Sequence, residues 1–138
     1  MNRLPLSNRT RDRLDRVGQE FLVEFYAAWI RRMPEDVGVL AELGHALTRL
    51  GRHEEGLAID RRLVRLVPDD PITHYNLACS YALLQHCDEA LDALERSIDL
   101  GYEDADFLLG DEDLTSVREE PRFQSLVRRL RARDESRA

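Results

Sequence analysis

No lysine occurs anywhere in the chain, so all 20 basic side chains are arginine. Arginines selected for forked contacts with carboxylate or phosphate would be clustered, because that geometry is what separates them from lysine. Here they are scattered, and the absence reads instead as codon usage in a GC-rich genome. Cysteine is scarce as well. Cys79 and Cys87 are too few for a disulfide framework. On one helix–turn segment they do not meet at the short Cα separation a bridge demands. Long apolar runs are missing: Phe21 to Ile30 is the most apolar stretch, is too short to span a bilayer, and carries Glu24. The stretch up to Gln19 is polar and arginine-rich, without the apolar segment of a secretory signal. A cytoplasmic protein with no membrane partner is the expectation.

Catalytic signatures are also lacking. There is no Gly-x-Ser-x-Gly, no glycine-rich phosphate loop, no Cys-x-x-Cys and no His-Glu-x-x-His. The single nucleophile–base pairing that can be built is Cys79 with His45, and it has no third group to orient the base. A zinc site needs three or four ligands converging at about 2.0–2.3 Å, and no spacing here brings them together. No catalytic residue, metal ligand or cofactor is expected, and His74 reads as a packing residue.

What the chain does have is a globular balance: 43% hydrophobic and 34% charged residues over 138 positions, enough for one domain with a real core. Its formal net charge of -7 disfavours nucleic acid, whose phosphates call for an excess of cations.

Within that length the stretch Leu40 to Pro68 is said nearly twice. Leu43-Gly44 recurs 34 positions later as Leu77-Ala78, Leu47 as Tyr81, and Leu50 as Leu84. Glu55-Gly56-Leu57 recurs as Glu89-Ala90-Leu91, and Val64 and Leu66 recur as Ile98 and Leu100. A fixed period of about 34 is that of a stacked helix–turn–helix unit. Gly44, Gly56, Ala78 and Ala90 fall where paired helices approach closely and only small residues fit.

The periodicity predicts helices from Glu35 to Leu50, His53 to Val67, Pro71 to Leu84 and Cys87 to Leu100. Asp70 is a candidate N-cap with Pro71 in the first turn, and Gly101 a candidate C-cap. Gln85 stands where the first unit has Gly51, so the second turn is expected to differ or be strained. Ahead of the repeats, residues 1–8 with Pro5 read as a loose lead-in, and Asn8 or Thr10 caps a helix over 9–33. Its stripe of Leu14, Val17, Phe21, Phe25 and Ala28, widened by Leu22, Tyr26, Trp29 and Ile30, must cover something. It either closes the open end of the stack or joins two copies through Phe21, Phe25 and Trp29. After Gly101 a short helix over Glu103 to Gly110, a short turn or helix over Asp111 to Arg118, and a last helix from Pro121 to about Arg133 with Phe123, Leu126 and Leu130 inward are expected, with a frayed tail from Asp134.

These residues resemble the tetratricopeptide repeat family over roughly half the chain, a coverage that follows from two units of this period. The matches are Leu40, Leu43-Gly44, Leu47, Gly56 and Pro68 in the first unit and His74, Leu77-Ala78, Tyr81 and Ala90 in the second. Gly56, His74 and Tyr102 depart from the usual alanine, large apolar residue and proline. Arg118-Glu-Glu-Pro-Arg-Phe123, after an Asp-x-Asp-Leu segment, is similar to the atypical ending of many small bacterial members. The resemblance implies an all-α fold of stacked helix–turn–helix repeats, an α–α superhelix with an extra N-terminal helix and a C-terminal capping helix. The units would be 37–70, 71–104 and a degenerate third at 105–133, in a single domain.

The resemblance also implies a concave groove lined by the first helices of successive units. By position these are Ala41, Glu42, His45, Thr48 and Arg49, then Ile72, Tyr75, Asn76, Cys79 and Ala82. A carboxylate clamp for chaperone C-termini is not implied: Asn76 fits, but Ala41 and His45 do not, and Asp106 falls where a cation is needed. The acidic run Asp99, Glu103, Asp104, Asp106, Asp111, Glu112 and Asp113 lacks the calcium-loop spacing. It reads as a solvated end-face or as a dock for a basic partner segment. The function implied is noncovalent, a scaffold, adaptor or small chaperone holding a peptide or helix of another protein. Self-association through the N-terminal aromatics is the alternative, and a thiol or metal enzyme on His45 and Cys79 comes third.

Overall fold

The structure, a computed structural model, describes residues 6–138, so residues 1–5 of the expected lead-in lie outside the described residues. Its helices are α1 (Asn8–Arg32), α2 (Val37–Arg49), α3 (His53–Leu66), α4 (Pro71–Leu83), α5 (Cys87–Asp99), α6 (Ala105–Gly110) and α7 (Pro121–Arg137). A 3-10 turn, Glu112–Leu114, lies between α6 and α7, and there is no strand among the described residues.

Several helix starts have a side-chain cap. Ser7, one residue before the expected cap, accepts a hydrogen bond from the Thr10 amide and begins α1. Asp36 does the same for α2 through Val39, and Asp70 for α4 through Ile72, with Pro71 supplying the fixed φ of a first turn. Three helices end alike. In α2, α4 and α5 the residue after the last turn takes a positive φ: Gly51 at 75°, Gln85 at 60° and Gly101 at 113°. The next amide reaches back five residues, from Arg52 to Leu47, His86 to Tyr81 and Tyr102 to Ser97, which closes the helix in a Schellman motif. The strain expected at Gln85 is therefore present as a left-handed glutamine.

Helices α2 and α3 pack as one antiparallel pair, α4 and α5 as a second, and α3 lies against α4. A Cβ on Gly44 would meet Asp60 Oδ1 at 3.3 Å and Ile59 Cγ2 at 3.5 Å, so the close approach expected there is real. Two apolar clusters result. One joins α1, α2 and α3 around Leu40, Leu43, Leu47 and Leu63. The other joins α4 and α5 to the C-terminal segment around Leu94, Ile98, Leu108, Leu114 and Phe123. Where α3 meets α4, the buried Ser80 hydroxyl donates to the buried Asp60 carboxylate at 2.5 Å, so the seam is polar.

The N-terminal helix covers the stack with the widened edge of the expected stripe, Leu22, Tyr26 and Ile30, joined by Val23, rather than with its centre. Val23 and Ile30 are buried, with Leu22 and Tyr26 packed beside them. The ridge of Leu14, Val17, Phe21 and Phe25 points outward, Phe21 being 65% and Phe25 52% exposed. The reason is width: apolar residues cover more of this helix than one neighbour can bury, and α2 takes the Val23/Ile30 side. Trp29 is 44% exposed, and its indole N–H donates to Asp36 at 2.9 Å, bracing the α1–α2 turn.

At the other end, Phe123, Leu126 and Leu130 point inward as the pattern predicts. The tail differs: α7 continues to Arg137, whose guanidinium pairs with Glu103. Arg122 bridges Asp92 and Glu95, Arg129 reaches Asp99 at 2.7 Å, and Arg131 lies 3.9 Å from Asp106. Part of the acidic run is thus faced by arginines of α7 rather than standing as a bare end-face.

Candidate binding groove

The first helices of the two pairs, α2 and α4, do not close against each other. The segment from Tyr102 to Asp113 folds back beside them, and the space between is an open cavity of about 510 Å³. Helix α2 contributes Gly44, His45 and Thr48, and α4 contributes Ile72, Tyr75, Asn76 and Cys79. Asp60 and Ser80 reach it from the seam, and Tyr102, Asp104, Phe107, Asp111 and Asp113 form the far wall. At its rim Ile72 and Phe107 are 52% and 58% exposed.

Six of the ten positions implied by the repeat register meet in this cavity: His45, Thr48, Ile72, Tyr75, Asn76 and Cys79. The remaining four lie elsewhere. Ala41 packs toward the α1 cluster. Glu42 and Arg49 line a shallower recess of about 330 Å³ between α2 and α1, shared with His45, Thr48 and Tyr26. Ala82 is buried at 1% exposure under the C-terminal segment, where its carbonyl accepts from the Ser116 hydroxyl. The far wall was outside the register argument, because it belongs to the part where the repeat fades. Its one signal was the acidic run.

The chemistry of the wall is a hydrogen-bonded acid–aromatic cluster. Tyr75 and Tyr102 stack with centroids 4.6 Å apart and planes 8° from parallel. The Tyr75 hydroxyl donates to Asp111 Oδ2 at 2.6 Å, and the Cys79 thiol approaches the same oxygen at 3.7 Å. The other Asp111 oxygen accepts from the Asp113 amide, and Asp104 caps α6 through the Phe107 amide. Burial, reinforced by Asp111, pushes the Cys79 thiol well up and so keeps it protonated. That is the opposite of the lowered value a nucleophilic cysteine needs, and Asp111, not His45, is its hydrogen-bonding neighbour. Burial also raises the Tyr75 hydroxyl and pushes Tyr102 up to about 12. Asp113 is raised first by burial and then by the neighbouring Asp111 charge. Asp60 is pushed up to about 6 by burial, against the opposing pull of the Ser80 hydrogen bond.

Cys79, Asp111 and Asp113 place one ligand atom each within 4.8 Å of one another, the one metal-like grouping among the described residues. A hard-oxygen pair with a protonated thiol matches neither the nitrogen–sulfur set of structural zinc nor the six or more oxygens of calcium. His74, expected as a packing residue, is buried with Nε2 2.7 Å from the Pro68 carbonyl.

Paired antiparallel helices stacked so that their first members border a groove define a helical-repeat protein. The sequence model described as tetratricopeptide repeat matches residues 36–102, so the two helix pairs are of tetratricopeptide repeat type. It is 30% identical over 90 residues to a chloroplastic protein of Arabidopsis thaliana, covering 63% of this chain and 27% of that protein. The chain therefore spans about a quarter of the length of that relative. Among solved structures it is similar to the MamA RS-1 ArsTM double mutant at 17% identity, with 93% of this chain and 94% of that chain covered and a TM-score of 0.35. Tetratricopeptide repeats in general mediate protein–protein interaction. Among the described residues no helix is long and apolar enough to cross a membrane.

Proposed function

We propose that the chain is a noncovalent interaction module, an adaptor or small chaperone, that seats a peptide or helix of another protein in the α2–α4 groove. The observation that carries this reading is the open cavity itself, with Ile72 and Phe107 left exposed on its rim. Apolar side chains beside a preformed concave surface are what a partner's anchor residues fill. The free thiols of Cys79 and Cys87 fit a reducing compartment such as the cytoplasm. Crosslinked capture from source lysate, with wild type beside Ile72→Glu/Phe107→Glu, tests it. Both residues are rim positions, so the variant keeps the core. A partner held by wild type and lost by the variant supports the groove; identical captures would end the reading.

A second reading is self-association through Phe21, Phe25 and Trp29. It is favoured by the outward ridge on α1, which no other element of the described chain covers. Concentration-dependent mass that Phe21→Ser/Phe25→Ser abolishes is its expected outcome; a constant monomer mass removes it.

A further inference from the structure

Two sets of carboxylates in this part of the protein contrast. Five on α5 and around α6 are met by α7: Asp92 and Glu95 by Arg122, Asp99 by Arg129, Glu103 by Arg137 and Asp106 by Arg131. Those turned into the groove, Asp60, Asp104, Asp111 and Asp113, form no salt bridge among the described residues. Asp60, Asp104 and Asp111 accept hydrogen bonds from hydroxyls and amides, which satisfy lone pairs without cancelling charge. Among the described residues His45 is the single basic side chain lining that cavity. Asp111 and Asp113 bring ligand oxygens within 4.8 Å of each other, and among the described residues the Asp113 carboxylate accepts no hydrogen bond.

An independent feature lies in the same wall. The Tyr102 hydroxyl is buried with no hydrogen-bond partner, on a residue only 7% exposed that lines the cavity. Its stacking neighbour Tyr75 has already committed its own proton to Asp111. An orphaned buried hydroxyl is costly and calls for a partner.

We infer that the groove's partner presents an arginine side chain, its guanidinium seated between Asp111 and Asp113 beside the stacked Tyr75–Tyr102 pair. This rests on the groove reading above and names the chemistry of the partner. A planar guanidinium suits the site for three reasons. Its forked N–H donors can meet two converging carboxylates at once. Its flat face packs on aromatic rings such as Phe107 at the mouth. It is more weakly hydrated than an ammonium, so entering a half-buried wall costs it less water. An apolar neighbour in the partner would rest on Ile72 and Phe107. The occupant is thus a basic amphipathic segment, arginine inward and apolar residues along the rim.

The experiment uses the full chain and labelled short helical peptides carrying one central arginine flanked by leucines. Matched peptides replace the arginine by citrulline, which keeps the shape without the charge, or by glutamate. Fluorescence anisotropy should show the arginine peptide binding on the order of tenfold more tightly than the citrulline one, and weakening as salt is raised. Asp113→Asn should weaken the arginine peptide by a similar factor and leave the citrulline peptide unchanged. The Asp113 side chain supports no other group, so this variant keeps its fold. Equal affinity for arginine and citrulline peptides, both lost in Phe107→Glu, would overturn the arginine assignment and leave the groove reading standing. No binding of the arginine peptide would also overturn it, and the lysate capture then decides the groove by itself. Zinc chloride titrated alone and found to bind tightly in a way that Cys79→Ser abolishes would reassign Asp111 and Asp113 as metal ligands and end the proposal.

Discussion

Gln85 sits at a φ of 60° in a helix-closing motif that Gly51 and Gly101 form elsewhere in the chain. A side chain in the left-handed region costs roughly 1–2 kcal/mol, while glycine gives back about 0.5–1 kcal/mol through the freedom of the unfolded chain. Gln85→Gly should therefore stabilise the protein by about 0.5–1 kcal/mol in urea unfolding; a loss of stability would mean the Gln85 side chain has a native role. Asp60 is a second residue with a measurable signature. Burial raises its carboxyl to about 6 in the folded protein, from an ordinary 3.8. The folded state then holds the proton more tightly than the unfolded state does. The ionised carboxylate consequently weakens the fold at neutral pH, and that penalty fades as pH falls from about 6 toward about 4. At about 1.36 kcal/mol per pH unit the full effect is roughly 3 kcal/mol. Asp60→Asn, which keeps an acceptor for Ser80, should be more stable than wild type near pH 7, with the gap closing toward about pH 4. A gap independent of pH would show that Asp60 does not titrate there. Of these two residues the sequence announced one: a non-glycine at a repeat-glycine position is visible in a period of about 34. Asp60 was invisible, because its burial depends on Ser80 arriving from the next pair.

Among the elements, α1 and α7 both end the stack, and they do so by different physics. Helix α7 inserts Phe123, Leu126, Val127 and Leu130 and adds a rank of arginines over α5. The apolar contacts should dominate. Phe123, fully buried, is expected to cost about 3–5 kcal/mol on replacement by alanine. Arg129→Ala, an exposed pair, is expected to cost less than about 1 kcal/mol. Chemical denaturation of the two variants separates them, and a larger loss in the arginine variant would reverse this ranking. Helix α1 buries a narrower strip and leaves its aromatic ridge in solvent. Its existence and length were legible, since spacing of three and four runs through it. Which side faces inward was not legible: apolar residues occupy both faces, and spacing cannot choose between them. The groove shows the same boundary. Six positions followed from register, whereas the acid–aromatic wall belongs to a segment with no repeat to be in register with.

For the molecule as a whole, the period, the small residues and the caps agreed with one another, and such agreement across levels specifies a fold. Repeat stacks hold together through neighbour-to-neighbour contacts alone. Here the two apolar clusters meet across the Asp60–Ser80 seam, with α2 and α3 on one side and α4 and α5 on the other. A polar joint between two apolar clusters should let the two halves open separately. Native-state hydrogen exchange should show the amides of α2 and α3 opening at lower free energy than those of α4 and α5, which the C-terminal segment also clasps. A single opening energy throughout would mean the joint couples the halves fully. Because the groove straddles that joint, an occupant touching His45 on one side and Tyr75 on the other would act as a splint. Binding would then be felt far from the contact, as slower exchange along α3, without any change of shape.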